Sequence, residues 1–366
     1  MSWSHYNPVR VDFGAGALRR IGSHVGSEGN VLLVTTEGFV RRGQAGAIAD
    51  SLGTARTTVY SGVTPNPQLD ELDQATARFS GLEPVAIVAL GGGSALDAAK
   101  TLSVTLPSGE SDPLDRRLRG GRAQAWERAI PVIAIPTTSG TGAEVTPFAT
   151  VWDDVHHRKH SVAGDLIFPA VAILDPELTL SLPPQETLHT ALDAISHSLE
   201  SLWNRNRTPL SESFSAQALR LAIDALPVVL ANPADLRARA RMQQASMLAG
   251  MAISQTRTAI AHSISYPLTS HFGVPHGLAC SFTLPNIIDR YLAEQDEPNL
   301  APLFIAARDL LKGLDLFSLL SRYASSAQIE ALKGEMFQPG RADNYKGHIE
   351  DLDDFIQPAP RPRPVS

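Results

Sequence analysis

The sequence predicts an α/β domain built on a parallel sheet, followed by an all-helical domain. Three observations predict it. Over the first half, short apolar runs alternate with stretches of helical periodicity. Two of those runs end in loops rich in glycine and hydroxyl side chains. Beyond about residue 180, strand-like runs nearly vanish and apolar residues recur at helical spacing.

Taken in order, Val31-Leu32-Leu33-Val34 reads as a buried strand, followed by a helix from about Gly38 to Ser51. Thr57-Thr58-Val59-Tyr60 is a second strand. A Thr64-Pro65-Asn66-Pro67 turn leads to a helix from about Leu69 to Phe79. Further strands fall at Pro84–Leu90, Pro131–Ile135 and Val171–Leu174. Strands alternating with helices imply a parallel sheet covered on both faces. The texture changes near Asp175-Pro176. From about Pro184, Leu188, Leu192, Ile195 and Leu199 mark a helical face, and Leu219, Ile223 and Leu226 mark another. The expected division is residues 1–180 and 181–366. The proline-rich end, Pro358–Pro364, reads as an extended, mobile tail.

Composition narrows the function classes. Charged residues are 19% of the 366, and the net charge of −7 argues against a broad nucleic-acid-binding face. No apolar run approaches the ~20 residues of a membrane helix. The N-terminal segment lacks the basic-then-apolar pattern of a secretory signal. A single cysteine, Cys280, permits no internal disulfide, so a cytoplasmic location is expected.

The segment Gly91-Gly92-Gly93-Ser94-Ala95-Leu96-Asp97 joins a strand to a helix. Its glycines permit close backbone approach to a ligand, and the helix start offers free N–H groups to an anion such as a dinucleotide diphosphate. Ser94 reads as an N-cap, with Asp97 completing a loose capping box. The pattern is not G-x-G-x-x-G, and an ordinary strand-to-helix turn is the competing explanation. A second loop, Pro136-Thr137-Thr138-Ser139-Gly140-Thr141-Gly142, offers small hydroxyls to phosphate or ribose, or is simply a polar turn. Two such loops at the carboxyl ends of parallel strands fall where open α/β sheets bind ligands.

Asp193 and His197 stand four apart on one helix face. His262 and His276 follow at a distance, with His271 between them. One carboxylate oxygen and three imidazole nitrogens suit Fe(II) or Zn(II) with a coordination position left open. Each member could also be a satisfied structural polar residue.

The two loops and the Asp/His set occur in an order that resembles the iron-containing (group III, metal-dependent) alcohol dehydrogenase family. The likeness covers about residues 5–295, and Asp193-Ala194-Ile195-Ser196-His197 and Pro275-His276-Gly277 are among its most specific pieces. It implies the dehydroquinate synthase-like fold of that family: a dinucleotide-binding α/β domain and a helical metal-binding domain. It implies that Asp193, His197, His262 and His276 bind the metal. It places Gly92, Gly93 and Ser94 at the diphosphate of NADH or NADPH, with Asn66, Asp97, Thr137, Thr138, Thr141 and Lys159 around the cofactor. A homo-oligomer, a dimer first, is expected by the same analogy.

Two departures from the family pattern carry information. Four residues after the third metal ligand, many members have a histidine credited with proton transfer. Here that position is Tyr266, so proton delivery falls to Tyr266, His271 or water. Many members have an Asp after the first cofactor strand; here Thr36 stands there, with Arg41 and Arg42 following, which admits NADPH beside NADH. The segments around His262 and His276 resemble the phosphonoacetaldehyde reductase (hydroxyethylphosphonate dehydrogenase) branch, whose work belongs to phosphonate biosynthesis. Arg257, five residues before His262, could meet an anionic phosphonate, or could simply face solvent. The expected substrate is therefore a small aldehyde, phosphonoacetaldehyde first, reduced to 2-hydroxyethylphosphonate. The alternatives are another short alcohol or aldehyde of propanediol or butanol type, a dehydroquinate-synthase-like lyase, or a non-catalytic binding protein.

Overall fold

The computed structural model describes residues 2–121, 125–156, 158–349 and 351–357, so the proline-rich tail lies outside the described residues. The chain separates into two compact units. One comprises residues 6–182 and 234–243; the other comprises residues 1–5, 183–233 and 244–366.

The first unit is built on eight strands: β1 (Arg10–Phe13), β2 (Val31–Val34), β3 (Thr57–Tyr60), β4 (Ala86–Gly91), β5 (Val132–Pro136), β6 (Phe148–Asp153), β7 (Arg158–Ala163) and β8 (Val171–Leu174). Six form a parallel sheet in the order β1-β8-β5-β4-β2-β3, and β6 pairs with β7 as an antiparallel hairpin. Helices α1 (Glu37–Arg41), α2 (Gln44–Leu52), α3 (Leu69–Phe79) and α4 (Gly93–Thr105) join the early strands. Alternate residues of each strand serve opposite faces. Leu32, Val34, Ile87, Ala89, Val132 and Ala134 pack with Leu69, Leu72, Leu96 and Leu102. Val31, Leu33, Val88, Leu90, Ile133 and Ile173 pack with Ala17, Ile21, Ile48 and Leu52. Both faces are therefore dry, and that explains why the strands read as unbroken apolar runs.

Three features differ from the sequence reading. The helix expected over 38–51 is broken at Gly43, which is left-handed with φ 77°. The strand β1 and the β6–β7 hairpin have no apolar run to announce them. Their sequences, Arg-Val-Asp-Phe and Arg-Lys-His-Ser-Val-Ala among them, alternate or are largely polar, and pairing rather than hydrophobicity makes them strands. Thirdly, α4 begins at Gly93 behind a Gly92 N-cap with no side-chain cap, so the Ser94–Asp97 capping box does not form.

The second unit is helical. It contains α5 (Pro184–Leu202), α6 (Pro209–Ala231), most of α7 (Leu236–Thr256), α8 (Ile260–Phe272), the short α9 (His276–Ala279), α10 (Leu284–Glu294) and α11 (Ala301–Gly313). Thr208 caps α6 through a reciprocal box with Ser211, and Pro209 occupies the first helical position. Among the described residues, α6 alone is long and apolar enough to cross a membrane by length and composition. It packs against α5 and α11, and Ala218, Leu219, Ala222, Leu226 and Val229 are buried, as in a core helix. A cluster of Trp203, Tyr291, Phe304 and Tyr345 anchors the later chain: Trp203 stacks on Phe304 and meets Tyr345 edge-on, and Lys346 N donates to Trp203 O at 2.9 Å.

The hairpin is pinned by charge. Asp153, 1% exposed, accepts from Arg119 Nε at 2.9 Å and Nη2 at 2.8 Å, and His156 Nδ1 lies 2.9 Å away. These bonds, Arg119 foremost, hold the carboxyl far below the usual carboxylate range. A depressed folded-state pKa contributes stability above the unfolded value of about 3.9, lost as pH falls towards the folded one. Asp153→Asn is expected to cost about 3 kcal/mol at pH 7 in urea denaturation. The variant's stability should also fall less steeply than that of the parent between about pH 5 and pH 3.

Candidate metal centre and cofactor cradle

In the α/β unit the chain leaves β2 towards β3 on one side and returns to β4 on the other. The crevice beyond β2 and β4 is therefore the topological switch point of the sheet. Thr35 Oγ1 donates to Leu90 O at 2.8 Å and ties the two strand ends together. Thr36 bridges to Gly62, and Asn66 N donates to Ser94 Oγ at 3.4 Å. Thr137 N donates to Gly91 O at 3.0 Å, and Thr138 lies against Gly92. A Cβ on Gly93 would stand 2.7 Å from Thr141 Cγ2, so only glycine lets these loops close up beneath the first turn of α4. Asp97 turns away from the helix start and accepts from Thr150 N at 2.9 Å. Burial raises its pKa, opposed by Lys100, by that backbone bond and by Lys159. Lys159 lies on β7 with Nζ 5.4 Å from the Trp152 ring centre. Thr36, Asn66, Gly92, Gly93, Ser94, Thr137, Thr138 and Thr141 thus lie at the strand ends around a helix N-terminus able to receive a diphosphate, while Asp97 and Lys159 meet the hairpin.

In the helical unit, α5 carries Asp193 and His197, α8 carries His262, and α9 carries His276. One atom, Asp193 Oδ1, is the hub: His197 Nε2 and His262 Nε2 both lie 3.5 Å from it, and His276 Nε2 lies at 3.8 Å. These distances exceed good hydrogen bonds. They approach the ~3.4 Å that separates ligand atoms placed about 2.1 Å from a common tetrahedral ion. His262 Nε2 is buried without a hydrogen-bond partner. On its other side, His262 Nδ1 lies 2.6 Å from Glu200 Oε2. A carboxylate only accepts, so Nδ1 carries a proton and Nε2 is the nitrogen turned towards Asp193; burial lowers the pKa of the ring, but the Glu200 and Asp193 carboxylates outweigh it and raise it. Burial opposes ionisation of Asp193, but the surrounding imidazoles outweigh it and hold the carboxyl well below the ordinary range. The donor set fits a divalent transition metal.

Gly277 makes this convergence possible. A Cβ there would lie 1.7 Å from His189 O on α5. Its absence lets α9 rest on the α5 backbone, which carries the neighbouring His276 to Asp193.

Two site residues escaped the sequence reading. Glu200, fully buried, accepts from the amides of Ala261 at 2.6 Å and His262 at 3.3 Å besides orienting the His262 ring. It follows Asp193 and His197 at i+7 and i+3, a stripe visible in the sequence. Cys280 Sγ lies 3.6 Å from Asp193 Oδ1, and one ligand atom from each of Asp193, His262, His276 and Cys280 falls within 4.8 Å of the others. Burial, then the Asp193 charge, keeps its thiol protonated well above the usual range.

The two proton-transfer candidates separate. Tyr266, 8% exposed, lies parallel to His276 with ring centres 6.4 Å apart. His271 sits at the exposed end of α8, with Nε2 2.9 Å from Glu335 Oε2. Arg257 occupies the α7–α8 junction with φ 65°, a left-handed conformation rare for a residue with a side chain.

A parallel sheet with a cradle for a diphosphate and a helical unit carrying Asp and His donors fit the class of enzymes that use a dinucleotide and a metal. Residues 8–176 match the profile of iron-containing alcohol dehydrogenase, and residues 187–304 match the C-terminal profile of the Fe-containing alcohol dehydrogenase family. The sulfoacetaldehyde reductase of Bilophila wadsworthia is 30% identical over 96% of this chain and 87% of its own. The phosphonoacetaldehyde reductase of Streptomyces viridochromogenes is 36% identical over 70% and 66% respectively. The crystal structure of sulfoacetaldehyde reductase from Bifidobacterium kashiwanohense, in complex with NAD+, superposes with a TM-score of 0.86 at 29% identity, covering 97% of each chain. The chain belongs to the iron-containing alcohol dehydrogenase family. It is an oxidoreductase of the aldehyde reductase and alcohol dehydrogenase kind, acting on a small aldehyde or alcohol.

Two substitutions probe the helical centre. Glu200→Gln is expected to weaken metal affinity by about 10- to 100-fold in chelator competition, because the imidazole it orients loses its anchor. Gly277→Ala forces α9 off α5. It should abolish metal retention, read by elemental analysis, while far-ultraviolet circular dichroism retains the helical signal.

Proposed function

We propose that this protein reduces phosphonoacetaldehyde to 2-hydroxyethylphosphonate with NADH or NADPH, using Fe(II) or Zn(II) held by Asp193, His197, His262 and His276. The observation that carries the reading is the single carboxylate oxygen surrounded by three imidazole Nε2 atoms at 3.5–3.8 Å. When bound, such an ion acts as a Lewis acid that polarises a carbonyl oxygen.

The chain's own groups supply the rest. Glu200 holds a proton on His262 Nδ1 and so turns Nε2 towards Asp193. Gly92, Gly93 and the first turn of α4 receive the cofactor diphosphate, with Ser94, Asn66 and the Thr137, Thr138 and Thr141 hydroxyls around it. Asp97 and Lys159 hold the hairpin edge of that cradle. Thr36 is neutral where a carboxylate would repel a 2′-phosphate, so both NADH and NADPH are accepted. The reaction moves a hydride from the reduced nicotinamide to the carbonyl carbon and one proton to its oxygen. NAD(P)H becomes NAD(P)+, and the aldehyde becomes a primary alcohol. Our choice for passing that proton is Tyr266, whose ring lies parallel to that of His276, ahead of His271, which pairs with Glu335.

The substrate choice draws on two kinds of support. Two relatives are reductases of two-carbon aldehydes that end in an anion. Arg257, held in a left-handed conformation five residues before His262, supplies a guanidinium for that anion.

The test is an aldehyde panel with both reduced cofactors on metal-reconstituted enzyme. The expected result is a kcat/KM for phosphonoacetaldehyde at least about tenfold above that for butanal. Equal values would reject the phosphonate and favour a propanol- or butanol-type substrate. Tyr266→Phe should lower kcat by about 10²-fold with little change in cofactor KM. Thr36→Asp should raise KM for NADPH and leave that for NADH unchanged.

A further inference from the structure

We infer that Arg341, which lies beyond the residues matched by the family profiles, is the second arm of an anion clamp with Arg257 over the face of Tyr266. The clamp selects aldehydes that carry a dianionic tail. This deepens the substrate reading above and rests on it.

The guanidinium of Arg341 lies over the Tyr266 ring, its Cζ 4.5 Å from the ring centre. The Tyr266 ring in turn lies parallel to that of His276, whose Nε2 is part of the Asp193 group. Arg341 is thus stacked within one aromatic layer of the metal donors. Its face is occupied by tyrosine, which leaves the N–H edge available to a planar or tetrahedral anion. Among the described residues it forms no salt bridge. An arginine stacked on an aromatic ring in this way can receive an anion that arrives from outside.

The backbone brings Arg341 and Arg257 together. Asn344 Nδ2 donates to Thr258 O at 2.8 Å, next to Arg257. Asn204 Nδ2 donates to Arg257 O itself at 3.2 Å. Upstream, Gln338 N donates to Ser263 Oγ at 2.9 Å, and that hydroxyl donates to Met336 O at 2.6 Å. Residues 336–346 are therefore strapped along the start of α8, with Tyr345 locked into the Trp203 cluster. The electrostatics agree with this geometry. Burial lowers the proton affinity of Arg341, Glu200 offsets part of the loss, and the Arg257 charge adds to it. Glu200 itself is engaged with His262 and two amides.

Two guanidinium groups on adjoining segments are matched best by a ligand carrying two negative charges. A phosphonate is such a group near neutral pH; a sulfonate carries one charge, and an alkyl tail carries none. The order of preference expected from the clamp is phosphonate, then sulfonate, then alkyl.

The test compares the full-length enzyme with its Arg341→Gln and Arg341→Lys variants on phosphonoacetaldehyde, sulfoacetaldehyde and butanal. Arg341→Gln is expected to raise KM for phosphonoacetaldehyde by about tenfold or more. KM for sulfoacetaldehyde should rise less, and that for butanal less than about twofold. Arg341→Lys should restore part of the phosphonate affinity. Methylphosphonate binding, followed by calorimetry without turnover, should weaken in parallel. This keeps the test valid if Arg341→Gln also slows catalysis. Equal KM changes on all three aldehydes, or unchanged methylphosphonate binding, would overturn the clamp. A parent enzyme with no preference for either anion over butanal overturns the underlying substrate reading as well. A parent that prefers phosphonate, with an Arg341→Gln variant that still does, removes Arg341 alone.

Discussion

Burying a carboxylate among helices is costly unless something nearby compensates its charge. Asp193 is 4% exposed, and what surrounds it are three imidazoles and a thiol. None of those contacts is a short hydrogen bond, and the donor types are those a divalent transition metal takes. Much of the helical unit is arranged around that constraint. The α5 helix supplies Asp193, His197 and Glu200 from one stripe, α8 supplies His262, and α9 reaches them because Gly277 has no side chain. Glu200 then settles which nitrogen of His262 faces the hub.

The α/β unit solves a different problem with the same economy. Its sheet is dry on both faces, so polar contacts with a ligand are confined to the strand ends. At the β2/β4 switch point the backbone of Gly92 and Gly93 meets the hydroxyls of Thr138 and Thr141, and a helix N-terminus opens there. Asp97 illustrates how the two halves of a motif can part company. Its spacing from Ser94 suggests a cap, but its carboxylate holds the β6 backbone at Thr150 instead.

The proposed choice of substrate rests on residues away from the recognisable motifs. Arg257 occupies a strained backbone position at a helix junction, and Arg341 comes from a late segment strapped to α8 by Asn344 and Gln338. Neither belongs to a pattern that periodicity or glycine content would reveal. Family membership accounts for the chemistry of the centre; in the proposed reading these two cations bear on which aldehyde reaches it.

Read alone, the sequence determined the alternation of apolar strands and helices, the strand limits of β2, β3 and β8, and the four-residue spacing of Asp193 and His197. Those features depend on local periodicity and on short-range turn chemistry, both of which are written in consecutive residues. It missed β1 and the β6–β7 hairpin because their side chains carry little apolar pattern and long-range pairing makes them strands. It missed Glu200 although the stripe was visible, since a glutamate on a helix is ordinarily a solvated residue until burial is known. Only the tertiary structure decided that Cys280 joins the donor group, that Tyr266 rather than His271 lies beside His276, and that Arg341 reaches Tyr266. Each of these contacts joins residues whose approach is set by helix packing and by backbone hydrogen bonds between separate segments, and no local rule of sequence encodes that approach.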